Sequence, residues 1–197
     1  MKPRRARVYE VTWAIGIPQS GKTTLAVSRA IQRAEERGVP LVAIDSGAVD
    51  QLRGLPPAET PGDVVQIAFR EHRSCRYVPS DLEDCERVLR VLRKGRRLVV
   101  LVDEAHYWLS AHTDGTSSEL VHLMREGQHA RTDLFLTTHH LTGDVPQAAL
   151  TCTSRVLVLR CIAPRVLDLL SKEWGFDRGA VQSLPQFHYL EKRLGFA

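Results

Sequence analysis

The reading of the fold turns on residues 9–24, Tyr9-Glu-Val-Thr-Trp-Ala-Ile-Gly16-Ile-Pro-Gln-Ser-Gly21-Lys22-Thr23-Thr24. Tyr9 to Ile15 is an apolar, β-branched run and reads as a strand; Thr23 to Arg37 reads as a helix with Leu25, Ala26, Ala30 and Ile31 on one apolar face and Gly38 as its stop. Between them Gly16, Ile17, Pro18, Gln19, Ser20, Gly21, Lys22 and Thr23 match GxxxxGK[ST] at every fixed position. The glycines let the backbone wrap closely and turn its N–H groups onto phosphate oxygens. The helix starting near Lys22 directs its positive dipole end at the same anion. Lys22 is expected to reach the β- and γ-phosphates and the Thr23 hydroxyl to ligate Mg²⁺. Gly16 through Thr24 is therefore the expected binding segment for ATP, in the strand–loop–helix setting that such a loop requires.

Outward from this loop the chain alternates strand and helix. Pro40 opens a strand over Leu41–Ile44, and residues 47–62 hold enough glycine and proline to read as a surface loop. Asp63–His72 reads as a short helix and Tyr77-Val78 as a short strand. Ser80-Asp-Leu-Glu83 has the pattern of a capping box with serine at the N-cap, opening a helix that buries Leu82, Cys85, Val88, Leu89 and Leu92. Leu98–Val102 is five consecutive apolar residues, as expected of a parallel strand covered on both faces. Thr116-Ser-Ser-Glu119 is a second capping-box pattern, opening a helix to about Gln128. Leu134–Leu136 and Arg155–Leu159 read as strands, Pro164 starts a helix over Arg165–Trp174, and Phe187–Leu190 reads as an edge strand. Repeated βα units imply an α/β fold with a mostly parallel central sheet between helical layers.

A second cluster of chemistry stands at the end of the central strand. Arg96-Arg-Leu-Val-Val-Leu-Val-Asp103-Glu104 is a hydrophobic strand tipped by two acids. Such a tip lies beside the phosphate loop at the carboxyl edge of the sheet. Asp103 can hold Mg²⁺ through water, and Glu104 can polarise an attacking water as general base. The glutamate favours hydrolysis; a kinase would need an acceptor site and a lid.

Composition sets the outer limits. The chain has 197 residues, 43% hydrophobic and 25% charged, which fits one domain over 1–197 with a core that needs neither metal nor disulfides. No apolar run approaches the length of about 18 residues that a membrane span needs, and Met1–Arg7 lacks the apolar stretch of a secretory signal. The net charge of +4 permits a polyanionic partner without establishing one. Arginine outnumbers lysine 22 to 5 and asparagine is absent, a composition that suits a GC-rich genome and a thermophilic source. Cys75, Cys85, Cys152 and Cys161 fit no zinc or CxxC spacing and read as reduced thiols of an intracellular protein.

With these residues in view, the chain resembles the HerA/FtsK branch of P-loop ATPases, which pump double-stranded DNA. The resemblance runs from the phosphate loop to about residue 160. It takes in Asp103-Glu104, the helix Glu119–Gly127, the strand ending Leu136-Thr137-Thr138-His139, and Ser154-Arg155-Val-Leu-Val-Leu159. A bare core of this size is similar to the genome-packaging ATPases of membrane-containing icosahedral viruses. That resemblance implies a three-layer RecA/FtsK-like P-loop NTPase fold and a homo-oligomeric, hexameric ring with nucleotide between subunits and duplex DNA in the pore. It also implies a capsid vertex or viral membrane protein as partner, and a location in the virion or host cytoplasm. Asp103-Glu-Ala-His-Tyr-Trp108 also resembles the Zot-like phage assembly ATPases, which generally carry a membrane span.

Two positions depart from the family's pattern. Glutamine is frequent at the end of the fourth strand, where this chain has His139, which can still donate a hydrogen bond as a sensor. The family's arginine finger aligns best with Gln128; Arg125 and Arg131 flank it and Arg155 begins the next strand, so the resemblance implies that one of these three acts in trans. Six of the eight histidines fall between His106 and His140, yet no pair shows metal-ligand spacing, so no histidine metal site is expected. The basic clusters Lys2–Arg7, Arg70–Arg76 and Arg93–Arg97 read as solvated helix ends, and Trp13, Trp108 and Trp174 as core. Loops 111–117 and 47–62 are the candidate DNA-contacting loops of a translocating pore.

Overall fold

The computed structural model describes residues 9–47, 49–109, 118–141 and 145–194. Its eight strands, among the described residues, are β1 Val11–Ile15, β2 Leu41–Ile44, β3 Pro57–Ala58, β4 Cys75–Tyr77, β5 Val99–Val102, β6 Asp133–Thr138, β7 Arg155–Val158 and β8 Leu190–Arg193. They form one sheet in the order β3-β4-β2-β5-β6-β1-β7-β8. Every pairing is parallel except β7 with β8. The chain has the expected mostly parallel α/β sheet of a P-loop NTPase.

Alternation along the strands sorts side chains into two cores. Ala14, Ala43, Leu101, Phe135 and Leu157 face helix α1 (Lys22–Arg37). Trp13, Ile15, Val100, Leu134 and Val156 face the opposite layer of helices. The buried centre of α1 is Ala26, Val27, Ala30 and Ala34, with Leu25 and Ile31 only half-buried at its margins. The small alanines let the helix lie close on the sheet, which rotates its buried stripe away from the larger residues that hydropathy alone would choose.

Several local details differ from the sequence reading. Loop 47–62 contains a 3₁₀ turn over Asp50–Leu52 and the strand β3, and ends in a short helix, α2, at Pro61–Val64. A capping box at Thr60 and Asp63 starts α2, and the chain continues as a π-helical turn over Val65–Arg70 rather than one regular helix to residue 72. Helix α3 (Leu82–Lys94) is capped by Asp81, whose carboxylate accepts from the Asp84 N–H at 2.8 Å. Ser80 is thus outside the cap, Leu82 is half-buried and Asp84 is buried in its place. The short helix α4 spans His106–Leu109, and α5 runs Glu119–Ala130 with Ser118 Oγ accepting from the Val121 N–H. Thr116 and loop 111–117 lie outside the described residues, as does the basic cluster 2–7. Two short helices that hydropathy does not signal, α6 (Gln147–Thr151) and α8 (Arg178–Gln182), flank α7 (Pro164–Trp174). The last strand begins at Leu190; Phe187 sits in a turn before it.

All four cysteines are unpaired, and burial pushes the Cys75 thiol up to about 11 and that of Cys161 to about 12. Trp13 and Trp174 are buried, and the half-buried Trp108 donates its ring N–H to the Asp103 carbonyl at 3.3 Å. No helix among the described residues is long and apolar enough to cross a membrane.

Candidate functional site

Four adjacent parallel strands, β2-β5-β6-β1, end at the same rim of the sheet, which brings the segments leaving their carboxyl ends side by side. After β1 comes the phosphate loop. Gly21 has φ 93, a left-handed conformation that favours glycine. At Gly16 a Cβ would lie 2.5 Å from Ser20 Oγ and 2.9 Å from Leu159 Cβ, so only glycine lets the loop fold this tightly. Gln19 is also left-handed, at φ 62, a curl of the backbone ahead of α1 of the kind that suits an anion.

After β5 come Asp103 and Glu104, and after β6 comes His139. Asp103 is buried. Its Oδ1 accepts from Thr23 Oγ1 at 3.3 Å and from Thr137 Oγ1 at 2.8 Å, and its Oδ2 from Ser46 Oγ at 2.6 Å. This carboxylate-and-hydroxyl set is all oxygen and suits a hard divalent cation such as Mg²⁺. Glu104 has a left-handed backbone (φ 48), and its N–H donates to Thr137 Oγ1 at 2.9 Å. Its carboxylate is shared: Lys22 Nζ is 2.8 Å from Oε1, while Nδ1 of His139 is 2.8 Å and Nδ1 of His106 3.4 Å from Oε2. Burial works to raise the Glu104 carboxyl, but Lys22 and His139 outweigh it and hold the group below the usual carboxylate range. Burial pushes the His106 imidazole down to about 4, with Glu104 opposing and His139, His140 and Lys22 adding to the fall. The cleft over these groups measures about 490 Å³ and is also lined by Val49, Gln51 and the exposed Tyr107. Gln51 donates to Thr24 Oγ1 at 3.2 Å, which ties loop 47–62 to the first turn of α1.

The structure thus brings Lys22, Thr23, Asp103, Glu104 and His139 together. Ser46, Thr137 and His106 join them without having been singled out by sequence. The signal for Ser46 was its place just past a parallel strand's carboxyl end; for Thr137 and His106 the only signal was adjacency to residues already chosen. Histidines that share no motif spacing are assembled by topology, so the ligating atoms of Glu104, His106 and His139 all lie within 4.8 Å of one another.

Arg125, Arg131 and Arg155 are not part of this rim. Arg131 precedes β6 and Arg155 begins β7, so both lie at the amino ends of strands, and Arg125 lines a small cavity there with Val11, Thr132 and Ser154. Arg125 and Arg131 are exposed. Arg155 is held by Glu191 at 2.6 Å and Glu10 at 3.6 Å.

Likeness to known proteins agrees with this geometry. Residues 13–161 match the family described as ATPase family associated with various cellular activities (AAA). No protein of curated function matches the sequence. Among solved structures, the genome packaging NTPase B204 from Sulfolobus turreted icosahedral virus 2 in complex with ATP-gammaS superposes with a TM-score of 0.79 at 16% identity, covering 95% of this chain and 94% of that one. Its complex with AMPPCP gives 0.77 at 18% identity over the same shares. The N-terminal domain of zonular occludens toxin from Neisseria meningitidis gives 0.51 at 20% identity, covering 76% of this chain and 75% of that one. At these identities the likeness is one of fold.

Proposed function

We propose, from the premise that this chain belongs to the AAA family of ATPases, that it hydrolyses ATP with Mg²⁺ and uses the energy to move duplex DNA without regard to sequence, packaging a viral genome as a homo-oligomeric ring. The observation that carries hydrolysis is the convergence of Lys22, Thr23, Asp103, Glu104 and His139 on one rim of the sheet, and the fold shared with a viral genome packaging NTPase is what supports the DNA-moving part. The phosphate loop binds the triphosphate through its N–H groups. Thr23 and Asp103, steadied by Ser46 and Thr137, would hold the cation, which would supply neutralisation of phosphate charge.

Lys22 and Glu104 neutralise each other across 2.8 Å in the present arrangement. When a triphosphate draws the Lys22 ammonium to its β- and γ-oxygens, Glu104 is released to accept a proton from the attacking water. His139, whose Nδ1 lies 2.8 Å from that carboxylate, orients it, and its protonated form could also donate from Nε2 to the γ-phosphate as a sensor. Because Arg155 is tied to two carboxylates, Arg125 and Arg131 are the arginines left to act on a neighbouring subunit's nucleotide.

Hydrolysis measured with and without double-stranded DNA tests the reading. Stimulation that weakens as salt rises supports it, because a motor grips phosphates electrostatically. Light scattering with an ATP analogue and duplex DNA should show a ring-sized mass. The likeness to the toxin domain favours a second reading, a Zot-like assembly or extrusion ATPase or a nucleotide-dependent assembly factor. Hydrolysis that ignores DNA at every salt concentration would reject the motor in favour of that reading.

A further inference from the structure

The order β5-β6-β1-β7-β8 gives the phosphate loop two flanks. One flank carries Asp103, Glu104 and His139, where the proposed function puts the terminal phosphate. A triphosphate laid along the loop with that end fixed sends its nucleoside to the other flank, past the exit of β7 and the segment that enters β8. Phe187 stands there. It is 68% exposed, the most exposed of the large hydrophobic side chains described. The edge of its ring rests on the loop backbone: a Cβ built on Gly21 would meet Phe187 Cδ1 at 2.8 Å, with Leu159 Cδ2 at 3.9 Å. Phe187 also has φ 66, a left-handed backbone that a bulky residue rarely adopts.

The turn is tied down on both sides. Gln186 Nε2 donates to the Gln19 carbonyl of the phosphate loop at 3.4 Å, the His188 N–H donates to the Pro185 carbonyl at 3.2 Å, and Arg29 on α1 donates to the Tyr189 hydroxyl at 2.8 Å. Leaving an aromatic ring in water and holding its backbone in a strained region both work against folding. A planar ligand laid on the ring's open face would recover the lost burial.

We infer that Phe187 is the stacking wall for the nucleobase of the bound triphosphate, a subsite that takes purine and pyrimidine rings with little discrimination. Stacking is tolerant because every base presents a π-face. This inference rests on the ATPase reading and extends it to the base end of the ligand.

Calorimetric titration of the whole chain with ATP, GTP and inorganic triphosphate tests it. Phe187→Ala should weaken ATP and GTP alike by about tenfold or more and leave inorganic triphosphate unchanged, while Phe187→Trp should stay within about twofold of the wild type for all three. Unaltered ATP affinity in Phe187→Ala overturns the inference. So does an equal loss for inorganic triphosphate, which would mark damage to the loop instead. If the wild-type chain binds inorganic triphosphate and neither nucleotide, the base subsite is refuted while the phosphate loop stands. If it binds none of the three, the proposed function falls and takes this inference with it.

Discussion

The two ends of the strands carry similar charges put to different use. At the amino end, Asp133 is fully buried and accepts from Arg33 at 2.8 Å, from Arg37, and from the Glu10 N–H at 2.6 Å. At the carboxyl end, Glu104 accepts from Lys22 and His139 at 2.8 Å each, beside an open cleft. The partners of Asp133 tie the chain to itself, so that cluster is a clasp. On the proposed function, Lys22 would leave Glu104 for a bound phosphate, which would make their pair a placeholder. An ion pair's distance and burial therefore do not reveal its role; what each group faces when the partner leaves does.

The contrast is sharpened most by substitutions at the placeholder. Lys22→Ala should abolish ATP binding, read by calorimetry. Glu104→Gln should bind ATP normally and lose turnover by about 100- to 10,000-fold. Normal turnover in Glu104→Gln would remove it as the base. At the clasp the expectation reverses: Asp133→Ala should cost about 3 kcal/mol in denaturant unfolding, because it strands two guanidiniums and a backbone donor. ATP affinity in the folded fraction should not change. Nearer the chemistry, His139→Ala should slow turnover by roughly tenfold to a hundredfold, with partial recovery in His139→Gln if hydrogen-bond donation is its contribution.

The smallest effect concerns a third acid, Asp84, which accepts from the Tyr77 hydroxyl at 2.7 Å and the Ser80 N–H at 3.0 Å. Burial acts to raise this carboxyl, but the Ser80, Tyr77 and Arg87 contacts hold it below its ordinary value. A depressed folded-state pKa adds stability at pH above the unfolded value of about 3.9, lost as pH falls through the folded one. The urea midpoint should therefore drop below about pH 4, and Asp84→Asn should flatten part of that slope. An unchanged acid limb in the variant would assign the slope to other carboxylates.

What the sequence made legible was local. The phosphate loop, the acid-tipped strand at Asp103-Glu104 and the apolar runs of β2, β5 and β7 each announce themselves within a dozen residues. Hidden features depend on partners far away in the chain. Arg33 and Asp133 are paired only because α1 crosses the amino end of β6. Ser46 and Thr137 reach Asp103 because the sheet places β2 and β6 on either side of β5. Phe187–Leu190 has strand composition, yet the left-handed turn at Phe187 delays pairing to Leu190, and no residue type there signals it. The π-helical turn after Val64 is likewise invisible to a 3.6-residue period.

Sheet order also bears on how the molecule comes to exist. The strand that leads into the phosphate loop is the first of those described, yet both its neighbours are late ones, with Val11 beside Leu134 and Thr12 beside Arg155. During synthesis its two edges stay unpaired until most of the polypeptide has emerged. Contacts of such sequence separation make for slow folding. A nascent or prematurely ended product would carry the whole loop motif and still lack the walls that shape it, so the ability to grip nucleotide would be among the last properties gained.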